Sequence, residues 1–390
     1  MEARPRLREL QAFKENFLAS LDSGTAEVLN KALGGGELTE EEASCLLQAR
    51  GLELHALILA ADWVRRRRVG DIVTYVVNWN INFTNICGTG CRFCAFSRSP
   101  RDPEAYLLSP AQVAAKAEEA WRQGATEVCI QGGLHPEVDL GFYEALLRAV
   151  KRTVPSIHIH AFSPMEVVYA ASKGGLGLEE TLRRLKEAGL DSMPGTAAEV
   201  LVDEVRRVVC PEKISVGKWV QVVETAHRLG IPTTATIMYG HVESPIHQAR
   251  HLAVVREVQK KTRGFTEFIP LTFIPWKTAL FREGDSKAGA TGAEDLRMYA
   301  VSRLMLAGWV DNIQVSWVKL GPKLAQVALN AGANDLGGTL MEENISRAAG
   351  ASSGQCLLPE EMERMIRDLG RIPAQRTTTY QLVTGWRPPS

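Results

Sequence analysis

The stretch CGTGCRFC, residues 87–94, spaces three cysteines as CxxxCxxC and places Phe93 directly before the last of them. It follows a β-rich run, residues 73–83, that ends in a Thr-Asn pair. Thiolates from Cys87, Cys91 and Cys94 on one short loop can hold three corners of a 4Fe-4S cubane and leave one iron open. An open iron suits a site that binds and reduces a small molecule. We therefore expect these three cysteines to be the metal ligands.

A zinc site and a disulfide both fit the cysteine loop less well. A structural zinc site needs four ligands, usually from a second CxxC or a histidine pair, and none follows at a suitable distance. A disulfide would leave an odd cysteine and is typical of secreted chains. The remaining cysteines have no framework spacing, so we expect buried or incidental thiols at Cys45, Cys129, Cys210 and Cys356.

Composition indicates an ordinary globular protein with a large core. The 390 residues are 45% hydrophobic and 23% charged, with a formal net charge of zero. A neutral balance gives no general affinity for nucleic acid or an anionic membrane surface. No apolar run reaches the roughly 18 residues of a membrane span, and no signal peptide is recognised. We expect a cytoplasmic protein, which suits an oxygen-sensitive cluster. The basic run Arg65–Arg68 is expected to be a solvated helix end.

From residue 71 onward, predicted strands alternate with predicted helices. Strands are expected near 127–131, 156–162, 192–195, 233–239, 267–273, 313–317 and 334–336, with helices between them. About eight β units with helical crossovers predict an α/β fold, a TIM-like (βα)8 barrel with an N-terminal helical extension. An open doubly wound sheet is the alternative, but no glycine-rich dinucleotide fingerprint follows the first strand. The expected domains are the extension (1–70), the barrel (71–340), and C-terminal helices with a tail (341–390).

Polar residues cluster where the predicted strands end, which in a barrel is the face that carries chemistry. Gln131-Gly132-Gly133 follows the second strand, and its small residues would let a ligand approach the backbone. His158, His160 and Phe162 share one face of the third strand. The two histidines could contact substrate or transfer protons. The alternative is a hydrogen-bonded pair in the core.

Later strand ends carry further candidates. Thr196 and Glu199 follow the fourth strand, where the carboxylate could accept hydrogen bonds from a ligand or simply offset the helix dipole. Tyr239 and His241 end the fifth strand. Trp317, near a lysine, could frame a flat substrate ring, and simple packing accounts for it equally well.

The cysteine spacing is similar to that of the radical S-adenosylmethionine (SAM) enzymes. In that superfamily the free iron chelates SAM, and one electron cleaves it to a 5′-deoxyadenosyl radical. The resemblance implies a 4Fe-4S cluster and S-adenosyl-L-methionine as cofactors. It also implies that Gln131-Gly132-Gly133 receives the SAM amino group, with Phe93, Glu199 and Tyr239 as further cofactor contacts.

Segments 80–85 and 91–96 resemble the futalosine and deazaflavin branch of these enzymes. Within it, five further segments are similar to the family of FO synthase second subunits: 157–166, 194–199, 236–243, 316–321 and 337–343. This resemblance implies a transferase of coenzyme F420 biosynthesis that cleaves L-tyrosine at Cα–Cβ. The 4-hydroxybenzyl group is then added to 5-amino-6-(D-ribitylamino)uracil. The candidate catalytic residues are His158, His160 and His241, and the candidate substrate contacts are Phe162, Glu166, Thr196 and Trp317.

The same resemblance implies a ferredoxin or flavodoxin as electron donor and a cyclising FO synthase first subunit as partner. One segment departs from it. Residues 268–278 read FIPLTFIPWKT, and the part from Ile274 to Lys277 is more similar to the futalosine enzymes. Dehypoxanthine futalosine cyclase or aminofutalosine synthase therefore remains the alternative. A non-catalytic iron–sulfur electron carrier is a third hypothesis, which would require a fourth cluster ligand.

Overall fold

A computed structural model describes residues 20–383. Part of the expected N-terminal extension, residues 1–19, and the last seven residues lie outside that range. The strands are Ile72–Val76 (β1), Asn78–Asn82 (β2), Glu127–Gln131 (β3), His158–Ala161 (β4), Thr233–Tyr239 (β5), Phe265–Thr272 (β6), Asp335–Gly338 (β7) and Ile372–Gln375 (β8).

Helices fill the connections between these strands. They are Ser23–Leu33 (α1), Glu40–Leu46 (α2), Gly51–Val69 (α3), Pro110–Arg122 (α4), Leu140–Thr153 (α5), Pro164–Gly174 (α6), Leu178–Ala188 (α7), Asp203–Val209 (α8), Val216–Arg228 (α9), Pro245–Thr262 (α10), Ala279–Arg282 (α11), Gly292–Leu306 (α12), Trp317–Leu320 (α13), Pro322–Ala328 (α14), Ile345–Ala349 (α15) and Pro359–Asp368 (α16). A short 3₁₀ turn, Leu329–Ala331, follows α14. Among the described helices none is long and apolar enough to cross a membrane.

The strands form a closed parallel barrel. β2 pairs with β3 and β3 with β4, β5 pairs with β6, and β7 pairs with β1. Parallel bridges at 192–193 and 313–314 link β4 to β5 and β6 to β7. The run 72–82 closes the ring, because its first half pairs with β7 and its second half with β3. Counting that run once gives the eight β units, and the TIM-like barrel is confirmed.

The N-terminal extension packs on the outside of this barrel. Thr39 caps α2 through the capping box with Glu42 that the sequence predicts. Helix α2 contacts α10, and α3 contacts α12. The expectation of a fully solvated basic run at the end of α3 is wrong for one residue, because Arg65 is buried and its Nε lies 2.8 Å from the Asp62 carboxylate. The other three arginines of the run are exposed.

The C-terminal region differs from the expected helices and tail, because it also contributes a strand. β8 aligns in parallel with β1, with Ile372 opposite Ile72 and Gln375 opposite Tyr75. After β8 the chain passes the end of the barrel opposite the cysteine loop, and the Arg376 N–H donates to the Tyr75 carbonyl over 2.8 Å. The C-terminal segment thereby closes that end of the barrel.

Candidate active site

A cavity of about 410 Å³ lies inside the barrel. Alternate residues of each strand face it, and the parallel registers arrange them in layers roughly 7 Å apart. We call these the floor (Asn78, Glu127, Thr234, Glu267), the middle layer (Asn80, Cys129, His160, Thr236, Ile269) and the upper layer (Asn82, Gln131, Met238, Leu271), all of which line the cavity.

The cysteine loop lies above the upper layer. Cys87, Cys91 and Cys94 all line the cavity, together with Phe93. None of the seven cysteines forms a disulfide. Burial raises the pKa of the Cys91 thiol to about 12, against the opposing charge of Lys213, and burial also raises the pKa of Cys94. The thiols of Cys91 and Cys94 are therefore neutral near pH 7, and ligation by a cationic centre would ionise them.

The donor set fits a cubane cluster better than a single ion. Within residues 20–383, no three side chains of His, Cys, Asp or Glu converge closely enough to hold one metal ion. A cubane places its ligands on three separate corners, so the sulfurs stand further apart than ligands of one ion. Three cysteines facing one cavity match that arrangement and would hold three corners of such a cluster.

Gln131-Gly132-Gly133 lies against the base of the cysteine loop. A Cβ atom at Gly133 would overlap the Ile86 carbonyl, and one at Gly132 would lie 2.6 Å from the Phe83 ring. Only glycine lets the β3 end approach the loop so closely. The Gly132 N–H donates to Glu166 Oε1 over 3.0 Å.

Glu166 connects this glycine segment to α6. Its other oxygen accepts from the Ser163 N–H and hydroxyl, each over 2.7 Å, in a capping box at the start of the helix. Burial raises the pKa of Glu166 to about 7, against these hydrogen bonds. The carboxyl group lines the cavity beside the glycines and can lose or accept a proton near neutral pH.

Glu199 forms an ion pair that the sequence did not reveal. Its Oε1 lies 2.6 Å from Lys213 Nζ, and that ammonium lies 5.1 Å from the centroid of the Phe93 ring. Both residues line the cavity near Thr196. Glu199 has a φ of 47°, a strained conformation that holds the carboxylate at this turn. Lys213 comes from the loop after α8, where no motif marks it.

The two predicted histidines of β4 bind the same hydroxyl. His158 Nε2 and His160 Nδ1 each lie 2.7 Å from Ser192 Oγ. Only His160 lines the cavity. Burial lowers the pKa of His160 to about 4, so its imidazole is neutral at pH 7.

Four other candidate residues lie outside the cavity lining. Phe162 packs edge-on against Tyr143, with ring centroids 4.6 Å apart. The Tyr239 hydroxyl donates to Asp295 over 2.7 Å. His241 is buried, with Nε2 2.9 Å from the Met238 carbonyl, and Trp317 Nε1 donates to Gly338. The structure does not bring these four side chains together with the cysteine loop.

Charged residues that the sequence did not predict lie in the floor and directly beside it. Arg376 Nε lies 2.5 Å from Asp335, and its Nη2 lies 3.2 Å from Glu267. Glu127 accepts from Asn78 Nδ2 over 2.9 Å. Nothing local marks these residues as a group, since four separate elements supply them.

The segment that departs from the deazaflavin pattern scarcely alters the cavity. Ile274 lines it, whereas Trp276 is 59% exposed and contacts Phe281 edge-on. Thr278 caps the short helix α11. The Trp-Lys difference therefore lies on the surface rather than in the pocket.

Comparisons with known proteins give two family matches. Residues 81–253 match the radical SAM superfamily, and residues 262–387 match the CofH/MqnC C-terminal region. A protein of Methanothermobacter thermautotrophicus named 5-amino-6-(D-ribitylamino)uracil–L-tyrosine 4-hydroxyphenyl transferase is 54% identical over 362 residues, which is 93% of this chain and 98% of the relative. One of the same name from Methanoculleus marisnigri is 52% identical over 92% of this chain and 98% of its own length.

Solved structures share the fold at low sequence identity. Methylornithine synthase (PylB) superposes with a TM-score of 0.70 at 20% identity, covering 89% of this chain and 97% of its own. HydG, a maturase of the [FeFe]-hydrogenase, gives a TM-score of 0.72 at 15% identity, covering 96% and 81%. These likenesses support the barrel architecture alone.

Proposed function

The chain belongs to the radical SAM superfamily and, within it, to the family of 5-amino-6-(D-ribitylamino)uracil–L-tyrosine 4-hydroxyphenyl transferases, and from that membership we propose that its barrel cavity carries out this transfer. The supporting observation is that Cys87, Cys91 and Cys94 face one enclosed, polar-floored cavity. The reaction breaks the Cα–Cβ bond of L-tyrosine and joins the 4-hydroxybenzyl fragment to C5 of the diaminouracil. The product leads to FO and coenzyme F420.

The three cysteines would hold a 4Fe-4S cluster, and SAM would bind at its open iron. When bound, this pair supplies the adenosyl radical that takes a hydrogen atom from the tyrosine amino group. Phe93 and the pair Glu199–Lys213 line the cavity beside the cluster loop and would bound the SAM site. The charges of that pair can meet the ribose hydroxyls and the carboxylate of the ligand.

Two buried polar atoms of the upper cavity support a ligand there. Asn82 Oδ1 and Thr196 Oγ1 have no hydrogen-bond partner within the described part of the chain. Buried polar groups are normally satisfied, so a ligand that completes these bonds explains both. Gln131 and Glu166 line the same region and are proposed as further contacts.

His160 is the proposed hydrogen-bonding residue of the middle layer. Its imidazole is neutral and held by Ser192, so it can form a hydrogen bond with a substrate nitrogen without carrying a charge. His158 would orient the same hydroxyl. His241, Tyr239, Phe162 and Trp317 have no place in the proposed site, because their side chains lie outside the cavity lining.

A closed barrel explains how a reactive radical can be used without loss to water. The cavity walls can hold tyrosine and the acceptor in contact, so that the benzyl fragment has one partner within reach. We also propose a ferredoxin or flavodoxin as electron donor, a cyclising FO synthase first subunit as partner, and a cytoplasmic location suited to an oxygen-sensitive cluster. Co-purification and cell fractionation would test these three assignments.

The test is one anaerobic preparation assayed with two substrate sets. With reductant, SAM, tyrosine and the diaminouracil, we expect a hydroxybenzyl adduct and 5′-deoxyadenosine by mass spectrometry. With dehypoxanthine futalosine in place of both substrates, we expect no spirocyclic product. Turnover of the futalosine substrate alone would reject the proposal and identify the chain as a dehypoxanthine futalosine cyclase. Failure to cleave SAM under strong reductant would favour the electron-carrier hypothesis.

A further inference from the structure

The floor of the barrel is a buried, charged chamber that the cluster chemistry does not require. Glu127, Glu267, Asp335 and Arg376 are each less than a tenth exposed. The Arg376 guanidinium pairs with Asp335 and Glu267, and Glu127 lines the same cavity, so three carboxyl groups share this region with one cation. The Tyr380 hydroxyl and the Arg376 guanidinium both bind Glu267, at 2.5 and 3.2 Å. Such a chamber favours a ligand rich in hydrogen-bond donors.

The C-terminal segment builds this chamber. Because β8 pairs with β1, the residues after it turn into the barrel end. Thr378, which is 4% exposed, lines the cavity beside Glu127. Burial opposes ionisation of Glu127, and the Thr378 hydroxyl is one of the groups that nonetheless hold the pKa of this carboxyl below its usual value. The linked hydroxyl and carboxylate present a hydrogen-bond donor and acceptors to a ligand in the cavity.

The distance from the cysteine loop decides which substrate can use the floor. Glu127 precedes Gln131 by four residues on β3, so the floor lies roughly 13 Å below the upper layer. Under the proposed function the tyrosine amino group would lie close to the cysteine loop, where SAM would supply the radical. Tyrosine therefore occupies the upper part of the cavity, and its ammonium cannot reach the floor carboxylates. The remaining substrate lies beyond it.

We propose that the floor residues Glu127 and Glu267, together with Arg376 and Thr378 of the C-terminal segment after β8, form the subsite of the ribitylaminouracil acceptor. The acceptor carries ring N–H groups, amino nitrogens and a polyol chain, which match carboxylate acceptors. Its carbonyl oxygens match the guanidinium and the threonine hydroxyl. This inference rests on the proposed function and places the diaminouracil, its second substrate, at the lower end of the cavity.

The test measures binding rather than turnover. Cluster-reconstituted protein is titrated by calorimetry with the diaminouracil or with tyrosine, in the presence of SAM and without reductant, so that no reaction occurs. Glu127→Gln should raise the acceptor Kd by roughly tenfold or more, because a charge-assisted hydrogen bond is lost. Thr378→Val should raise it by about two- to tenfold, since the lost bond is neutral. The tyrosine Kd should stay within about twofold, the scale of a minor indirect effect.

Thr266→Val is the matched control. Thr266 neighbours Glu267 on β6 but does not line the cavity, and its hydroxyl donates to the Thr233 carbonyl. Both substrates should bind this variant as they bind wild type. Cluster content and circular dichroism identify any variant that fails to fold. If Glu127→Gln fails to fold, the acceptor Kd of Thr378→Val decides whether the subsite is correct.

Two results would overturn the subsite. One is an unchanged acceptor Kd in both floor variants while wild type still binds the acceptor and makes the adduct. The other is a tyrosine Kd that rises as much as the acceptor Kd. A wild-type protein that neither binds the diaminouracil nor forms an adduct would instead overturn the proposed function, and the subsite with it.

Discussion

Lys213 Nζ lies 2.6 Å from the Glu199 carboxylate at the edge of the cavity, where the ammonium also faces the Phe93 ring of the cysteine loop. Burial opposes the charge on this lysine, but the Glu199 carboxylate outweighs it and raises the lysine pKa above the usual range. The ammonium therefore keeps its charge near neutral pH and presents it beside the cluster loop.

Breaking this pair should affect stability and SAM binding together. Lys213→Met leaves the Glu199 carboxylate without its partner and should lower the free energy of unfolding by about 1–3 kcal/mol. The KM for SAM should rise. Combining it with Glu199→Gln should cost less than the sum of the two single changes, as chemical denaturation would measure. Strict additivity would show that the two residues do not act as a pair.

The cysteine loop gives a prediction with an internal control. Cys91→Ala should abolish the visible absorbance of the reconstituted protein and the formation of 5′-deoxyadenosine, since one cluster corner loses its ligand. Cys45→Ala should change neither, because Cys45 is exposed on α2, away from the cavity. Iron content and absorbance would be measured on both proteins. Full cluster loading in Cys91→Ala would reject the ligand assignment.

Two glycines near the loop differ in the space around them. Gly133→Ala would drive a methyl group into the Ile86 backbone, and we expect cluster loading to fall with a loss of about 1–3 kcal/mol in stability. Gly88 lies on the cysteine loop, and apart from its chain neighbours no atom of residues 20–383 lies within 4 Å of the carbon that Gly88→Ala would add. This variant should load normally. Equal loading of the two variants would show that the β3 end does not need to abut the loop.

Buried histidines make the fold sensitive to mild acid. Burial lowers the pKa of His160 and His227 to about 4 and that of His251 to about 3. In the unfolded chain these rings take up protons near pH 6.5, whereas in the native protein they stay neutral. The stabilisation that comes from keeping them neutral is therefore fully present above pH 6.5. As pH falls from about 6.5 toward 4, the free energy of unfolding decreases by about 1.4 kcal/mol per pH unit for each ring.

His251→Gln isolates one of these rings. The difference in unfolding free energy between pH 7.5 and pH 5.5 should shrink by about 1 kcal/mol relative to wild type, because one fewer site takes up a proton on unfolding. His55→Gln should leave the difference unchanged, since His55 is exposed on α3. Denaturant titrations at the two pH values provide the measurement. An unaltered difference in His251→Gln would contradict the burial argument.

The exposed Trp276 bears on substrate choice. Trp276→Ala should leave the adduct as the sole product and cost well under 1 kcal/mol, as surface changes usually do. Product analysis with both substrate sets would show this. A shift toward futalosine turnover would mean that the surface loop after β6 controls the pocket.

The sequence by itself determined the features that depend on local spacing. The cysteine loop needs only eight consecutive residues, and strands 127–131 and 233–239 are bounded by turn residues at both ends. The alternation of strands and helices predicts the barrel for the same reason, because each βα unit is a local pattern. Because crossovers between parallel strands are right-handed, only a few sheet topologies can then connect these units.

The tertiary structure alone decided which side of each strand faces the cavity. A shift of one residue exchanges the two faces, and β5 is buried along its whole length, so its hydrophobicity does not mark either face. Thr236 and Met238 face the cavity, and Tyr239 consequently turns outward to Asp295. Residues that meet across the fold were equally hidden. Lys213 reaches Glu199 from a loop, and Arg376 reaches Asp335 only because a four-residue strand pairs with β1. These contacts form only when distant segments of the chain meet in the folded barrel, and no local sequence pattern encodes which segments meet.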